Sequence, residues 1–205
     1  MPMSDKEQMQ IVKGWWKEYG YYLLFTILFV IVANFGWHRY QQYQNVRLEQ
    51  ASNMYMNMLN LMDQKKNDEL KLYGEKLIKD HKGSPYASLA ALILAKEAVK
   101  VNDLKLADER LRFAIKKAPD KKVRQLARIR DARVLIAMKK SQEAIKLLGS
   151  IDDNGYLAEI NEVLGDAFLD LGRLSEAEQA YRKAETADAN KKLRLPLLKM
   201  KMQRF

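Results

Sequence analysis

The side chains that most often carry chemistry are scarce in this sequence. Its two histidines, His38 and His81, lie far apart, and it has no cysteine. That removes disulfides, cysteine-ligated zinc, iron–sulfur clusters and thiol catalysis together. No HExxH, GxSxG, glycine-rich phosphate loop or calcium-loop pattern occurs. Asp152-Asp153-Asn154-Gly155 is acidic enough for a cation but lacks the spacing and terminal glutamate of a calcium loop. It reads as a turn. The expectation is a protein with no catalytic residue, no cofactor and no metal, whose chemistry is binding.

The charge points the same way. The chain has 205 residues and a net charge of +10. Residues 105–146 hold 14 basic and 5 acidic side chains, a net of +9, and residues 147–190 hold 3 basic and 10 acidic, a net of −7. Residues 191–205 add +6, whereas the first forty contribute only +1. The charge alternates along the chain, so it is no uniform basic field. Phe113 is the only aromatic between Tyr86 and Tyr156, which leaves the basic stretch without stacking platforms for bases. No nucleic acid is expected as a partner. The basic run from Lys116 to Arg133 reads as a solvated helix face, with contact to anionic headgroups or an acidic partner as the alternative.

The elements that must position these residues are helical. Nine glycines and four prolines are too few for a turn-rich β fold, and 48% of the chain is apolar. No residue in 19–37 carries a formal charge. Nineteen helical residues span about 28 Å, close to the hydrocarbon thickness of a bilayer. Aromatics bracket the run: Trp15, Trp16 and Tyr19 on one side, Trp37 and Tyr40 on the other. Such rings suit the membrane interface, where one end is apolar and the other wet. No small-residue cleavage site follows Gly36-Trp37-His38, so the run reads as an uncleaved signal anchor in a lipid bilayer. Lys6, Lys13 and Lys17 precede it, against Arg39 and Arg47 just after, a bias toward an N-terminus in the cytoplasm.

Beyond the anchor, residues 38–50 form a polar stretch that continues the helix as a stalk. Met54, Met58 and Met62 then fall on one helical face, which reads as core packing or as an adaptable client surface. Asn67-Asp68-Glu69 looks like a helix start that Gly74 interrupts. Ser84-Pro85 is a strong start, with a hydroxyl cap followed by proline at the first helical position. Ala107, Ala144 and Ala177 then recur at offsets of 37 and 33 residues, each followed by larger apolar side chains. A period near 34 with two helices per unit is the signature of tetratricopeptide-type repeats. The third unit fits best, with Leu164-Gly165 and Phe168 on one helix, Gly172 at the turn, and Ala177, Tyr181 and Ala184 on the next.

The fold expected is therefore all-α: an N-terminal transmembrane helix, then a right-handed tetratricopeptide-like array of about three repeats. A helix carrying Leu193, Leu195, Leu197, Leu198, Met200 and Met202 would cap it. The domains are a cytoplasmic tail (1–18), an anchor (19–37), a stalk (38–50) and a repeat domain (51–205). The first helices of such arrays line a concave surface. By that register Leu89, Leu92, Lys96, Val99, Leu126, Ile129, Arg133 and Ile136 line a partner-binding groove. Glu159, Glu162 and Asp166 add an acidic end.

The order and spacing of several segments carry a wider resemblance. They are Gly36-Trp37 through Gln50-Ala51-Ser52, Tyr86-Ala87-Ser88-Leu89-Ala90, Ala132-Arg133-Val134, and Gly165-Asp166-Ala167-Phe168 through Ala177. The chain resembles the ancillary SecYEG translocon subunit family of proteobacterial inner membranes. The resemblance implies a single-pass type II protein of the bacterial inner membrane with its repeat domain in the periplasm. It implies two partners, the SecYEG translocon and a membrane-anchored periplasmic chaperone of the prolyl-isomerase class. It also implies a non-enzymatic role in handling newly exported chains. A second reading is a membrane-tethered regulator that sequesters a cytoplasmic stress-response signalling protein through residues 1–18. The unusually basic middle unit is not part of what the resemblance implies.

Overall fold

The structure, a computed structural model, describes residues 5–187 and 200–201. Every regular element among them is helical. They are α1 (Asp5–Asp63), α2 (Asn67–Asp80), α3 (Pro85–Lys100), α4 (Leu104–Lys117), α5 (Lys121–Ala137), α6 (Ser141–Leu148), α7 (Leu157–Asp170) and α8 (Leu174–Ala187). A single 3-10 turn, Asn154–Tyr156, precedes α7. Met200 and Lys201 are helical, and the rest of the expected capping helix lies outside the described residues.

The chain forms two compact units, Met1–Glu49 and Gln50–Phe205, and α1 contributes to both. In the first, α1 carries an 18-residue window of mean hydropathy 1.7, long and apolar enough to cross a membrane. Its apolar side chains are exposed, Phe29 by 73%. A soluble protein would bury such a surface. The ring pairs Trp15–Tyr19 and Trp37–Tyr40 lie 6.1 and 6.3 Å apart at their centroids.

The second unit is built from helical hairpins. Helix starts follow the local chemistry. Ser84 Oγ accepts from the Ala87 amide ahead of Pro85, Asp103 caps α4 through the Leu106 amide, and Asp120 caps α5 through the Lys122 amide. Each cap is worth about 1 kcal/mol. Helix ends obey one rule four times. Lys65, Asn102, Lys139 and Gly172 are the four described residues with positive φ, between 59° and 72°. In each case the next amide bonds back to a carbonyl five residues earlier: Lys66 to Leu61, Asp103 to Ala98, Lys140 to Leu135 and Arg173 to Phe168. This is the left-handed cap that turns the chain and satisfies orphan carbonyls at a helix end. The four residues are spaced by 37, 37 and 33.

Among the described residues there are therefore four hairpins where the sequence pattern shows three. The extra one precedes the others and joins residues 50–63 of α1 to α2. Its Met58 and Gly74 take the positions that Ala95 and Leu111, Ala132 and Leu148, and Gly165 and Tyr181 take in the later hairpins. Large and small are exchanged, which hides the motif. A Cβ on Gly74 would lie 2.9 Å from Met58 Cε and 2.9 Å from Leu94 Cδ2. Gly74 thus lets three helices meet, and α2 runs through it without the interruption its sequence suggests. Met58 is fully buried, with Met54, Leu61 and Met62 packed on the same cluster, so the methionine stripe is core and not a client surface.

That cluster spans the end of α1 through α5. A second cluster centres on Ile129, Leu135, Leu148, Ile160 and Val163, and a third on Ala177, Tyr181 and Ala184. Polar links join successive hairpins. Asp152 pairs with Arg124 and Arg128, and its amide donates to Gln125 Oε1 at 2.8 Å. Asp153 Oδ1 accepts from the Gly155 amide, so this acidic loop is a structured turn. Asp170, at the end of α7, accepts from Lys139 Nζ and Ser141 Oγ, both at 2.6 Å.

Candidate functional site

A cavity of about 460 Å³ opens between the C-terminal turns of α3 and α5, over α4. Ala95, Val99, Leu104, Leu111, Val134 and Ala137 give it an apolar lining. Lys96, Lys100, Arg130 and Arg133 supply four cations and complete the wall. Lys100 is held by Glu97, at 2.7 Å. Lys96, Arg130 and Arg133 make no ion pair among the described residues. By contrast Arg110, Arg112, Arg124, Arg128, Arg173 and Arg182 all do. Partial desolvation, and then the neighbouring charge of Arg133, push the Arg130 guanidinium below its usual value. An anion in the cavity would relieve that repulsion.

The predicted groove residues divide over this geometry. Lys96, Val99 and Arg133 line the cavity. Leu92 and Ile129 do not: they are 5% and 1% exposed and belong to the two core clusters. Leu89 and Leu126 are half-buried against the first cluster and Ile136 against the second. The expected strip on α5, at 126, 129, 133 and 136, is rotated from the observed one, at 130, 133, 134 and 137. One residue turns a helix by about 100°, so a one-position error in register moves a side chain from solvent to core. Arg130 and Lys100 join the lining beyond the expected set, and each lies within one helical turn of a predicted cation.

The acidic end also differs from expectation. Glu162 is buried, and Glu159 and Asp166 are half-buried. Lys201 Nζ reaches Glu162 Oε1 at 2.9 Å and Asp166 Oδ1 at 2.8 Å, and lies 5.8 Å from the centroid of the Tyr181 ring. Burial works against the Lys201 charge, but hydrogen bonds to Asp166 and Glu162 outweigh it and hold the ammonium above its usual value. The Tyr181 hydroxyl donates to Asp166 at 2.7 Å. The chain's own lysine occupies the surface that was expected to receive a partner.

Asp131 forms a separate electrostatic feature. It is fully buried, and among the described residues no donor reaches either carboxylate oxygen. Burial, then the charge of Asp108, push its carboxyl up to about 8. Arg112 opposes this and Glu143 adds to it. Protonated, Asp131 can donate to Asp108, and the missing donor is then its own proton. Among the described residues no group of three or more histidines or acids is placed to hold a metal ion.

Repeated helical hairpins, one turn geometry used four times and an open cavity between first helices define a helical-repeat binding domain. The profile of the tetratricopeptide repeat-like domain family matches residues 13–205, and the chain belongs to that family. It is also similar, nearly end to end, to proteins named ancillary SecYEG translocon subunit. The one from Escherichia coli (strain K12) is 26% identical over 185 residues, 90% of this chain and 89% of the relative. The Haemophilus influenzae protein is 22% identical, covering 98% of this chain and 97% of its own. That of Buchnera aphidicola subsp. Schizaphis graminum is 28% identical over 84% and 88% of the two chains.

Proposed function

We propose that this protein is a non-enzymatic ancillary component of the Sec translocon. It sits in the bacterial inner membrane as a single-pass type II protein. Residues 1–18 lie in the cytoplasm, 19–37 span the bilayer, 38–50 form a stalk and 51–205 stand in the periplasm. Trp15, Trp16, Tyr19, Trp37 and Tyr40 sit at the two interfaces. The repeat domain holds a membrane-anchored chaperone of the prolyl-isomerase class beside the channel and assists newly exported chains.

One observation carries the reading. Relatives named for the translocon cover 84–98% of the chain, and the Haemophilus influenzae one, at 98%, takes in the exposed apolar helix and the repeat domain together. A shared repeat domain alone would leave the role open, since repeat folds serve many partners. An anchor joined to that domain supplies a reason for a fixed place at the membrane.

Photo-cross-linkers placed along α1 and on the repeat domain, followed by mass spectrometry in native membranes, test the proposal. Channel subunits should be captured from α1 and a chaperone from the repeat domain. Cross-links confined to lipid and to copies of this chain would refute it.

A further inference from the structure

We propose that the α3–α5 cavity docks an acidic segment of a partner protein. An apolar side chain enters against Val99 and Leu111, and flanking carboxylates meet Arg130 and Arg133. This rests on the scaffold reading above and names the chemistry of the element that the scaffold holds.

Charge complementarity carries the inference. The cavity has an apolar floor and four cations, with no acidic residue in its lining. Among the described residues three of those cations lack an ion-pair partner, whereas the other described arginines of the domain are paired. Arg130 and Arg133 sit one helical turn apart, where like charges repel, beside an apolar opening. Planar guanidinium groups bind carboxylates bidentately, which fixes the register of an extended ligand. A volume of about 460 Å³ lies in the ordinary range for ligand pockets and admits large apolar side chains. No aromatic side chain lines the cavity, so a nucleic acid would find no stacking surface.

The test uses the full chain in nanodiscs of neutral lipid and a labelled peptide of alternating leucine and glutamate. Binding is read by fluorescence anisotropy. The double variant Arg130→Glu with Arg133→Glu should weaken binding at least about tenfold, the scale of a lost charge-assisted contact. Glutamine in place of glutamate in the peptide should do the same, and Val99→Asp should weaken binding several-fold. Reversing Lys116 and Lys117, equally basic but outside the cavity, should leave it unchanged. Equal binding by the Arg130/Arg133 variant or by the glutamine peptide would overturn the proposal. So would self-association of the wild-type chain that the double reversal abolishes, because the occupant would then be the acidic unit of a second copy. Competition by anionic vesicles but not by unlabelled peptide would assign the cavity to lipid and overturn it too. The two readings fail separately. Channel cross-links without peptide binding remove only the docking site. Peptide binding without channel cross-links removes only the translocon role.

Discussion

Gly165 on α7 and Tyr181 on α8 compete for one volume. A Cβ at position 165 would stand 2.4 Å from Tyr181 Cε1 and 2.6 Å from Cδ1. Tyr181 is fully buried, with its hydroxyl on Asp166, so the ring has nowhere to go. Gly165→Ala should therefore destabilise the domain by about 2–3 kcal/mol, the cost of overpacking a rigid core. Adding Tyr181→Leu should recover much of the loss, because alanine opposite leucine is the arrangement at Ala95/Leu111 and Ala132/Leu148. Urea unfolding of the four chains, followed by far-ultraviolet circular dichroism, gives the coupling energy. Simple additivity of the two substitutions would contradict the shared-volume account.

The four hairpin turns make a second case. Lys65 and Lys139 hold φ of 59° and 60°, a conformation that glycine adopts without steric cost. Lys65→Gly and Lys139→Gly should each stabilise the domain by about 1 kcal/mol. Gly172→Ala, at φ 72°, should cost about as much. Unchanged denaturation midpoints in all three would show that these turns are not strained.

Asp131 sets a pH dependence. Its folded-state pKa is raised to about 8, above the ordinary aspartate value that applies when the chain unfolds. The folded state then binds the extra proton between the two values. Its contribution to stability is fully present below about pH 4 and is lost as pH rises through about 8. Between those limits this group makes the domain less stable with every step toward alkaline pH. Asp131→Asn should flatten that slope. Asp131→Leu, the residue type at the matching Leu94 and Leu164, should also raise stability at alkaline pH by about 2 kcal/mol. Thermal unfolding across the pH range measures both. A wild-type slope that Asp131→Asn leaves unchanged would show that Asp131 is ionised in the fold.

Asp152 ties the loop before α7 to α5. It accepts from Arg124 Nε at 3.2 Å and from Arg128, and its own amide bonds Gln125. Asp152→Ala should cost about 2 kcal/mol, since it leaves the partly buried Arg128 guanidinium without its carboxylate, whereas Arg124 keeps the carbonyls of Ala118 and Pro119. Arg128→Gln on top of it should cost less than it does alone. Hydrogen exchange at Asn154–Tyr156 should quicken in the same variants.

Much of the architecture is legible in the sequence because it depends on short-range rules. Ser84-Pro85 starts a helix through one hydroxyl and one missing amide hydrogen. Ala107, Ala144 and Ala177 mark helix crossings because only small side chains fit there. The uncharged run at 19–37 reports its own length. The first hairpin escaped because Met58 and Gly74 reverse the usual order of sizes, and composition cannot show that two residues exchange volumes across a helix pair. Neither could the acidic character of residues 159–166 show that Lys201 lies on them.

The sequence by itself determined helicity, the long apolar segment near the N-terminus, the period and the alternation of charge. These follow from backbone propensity, side-chain size and residue counts at fixed spacing. Tertiary structure decided which face of α3 and α5 opens. Helical periodicity leaves a helix free to rotate by about one position, some 100° of azimuth, until neighbouring side chains claim one side of it. Core packing claimed Leu92 and Ile129, and that left Arg130 and Arg133 facing the cavity together.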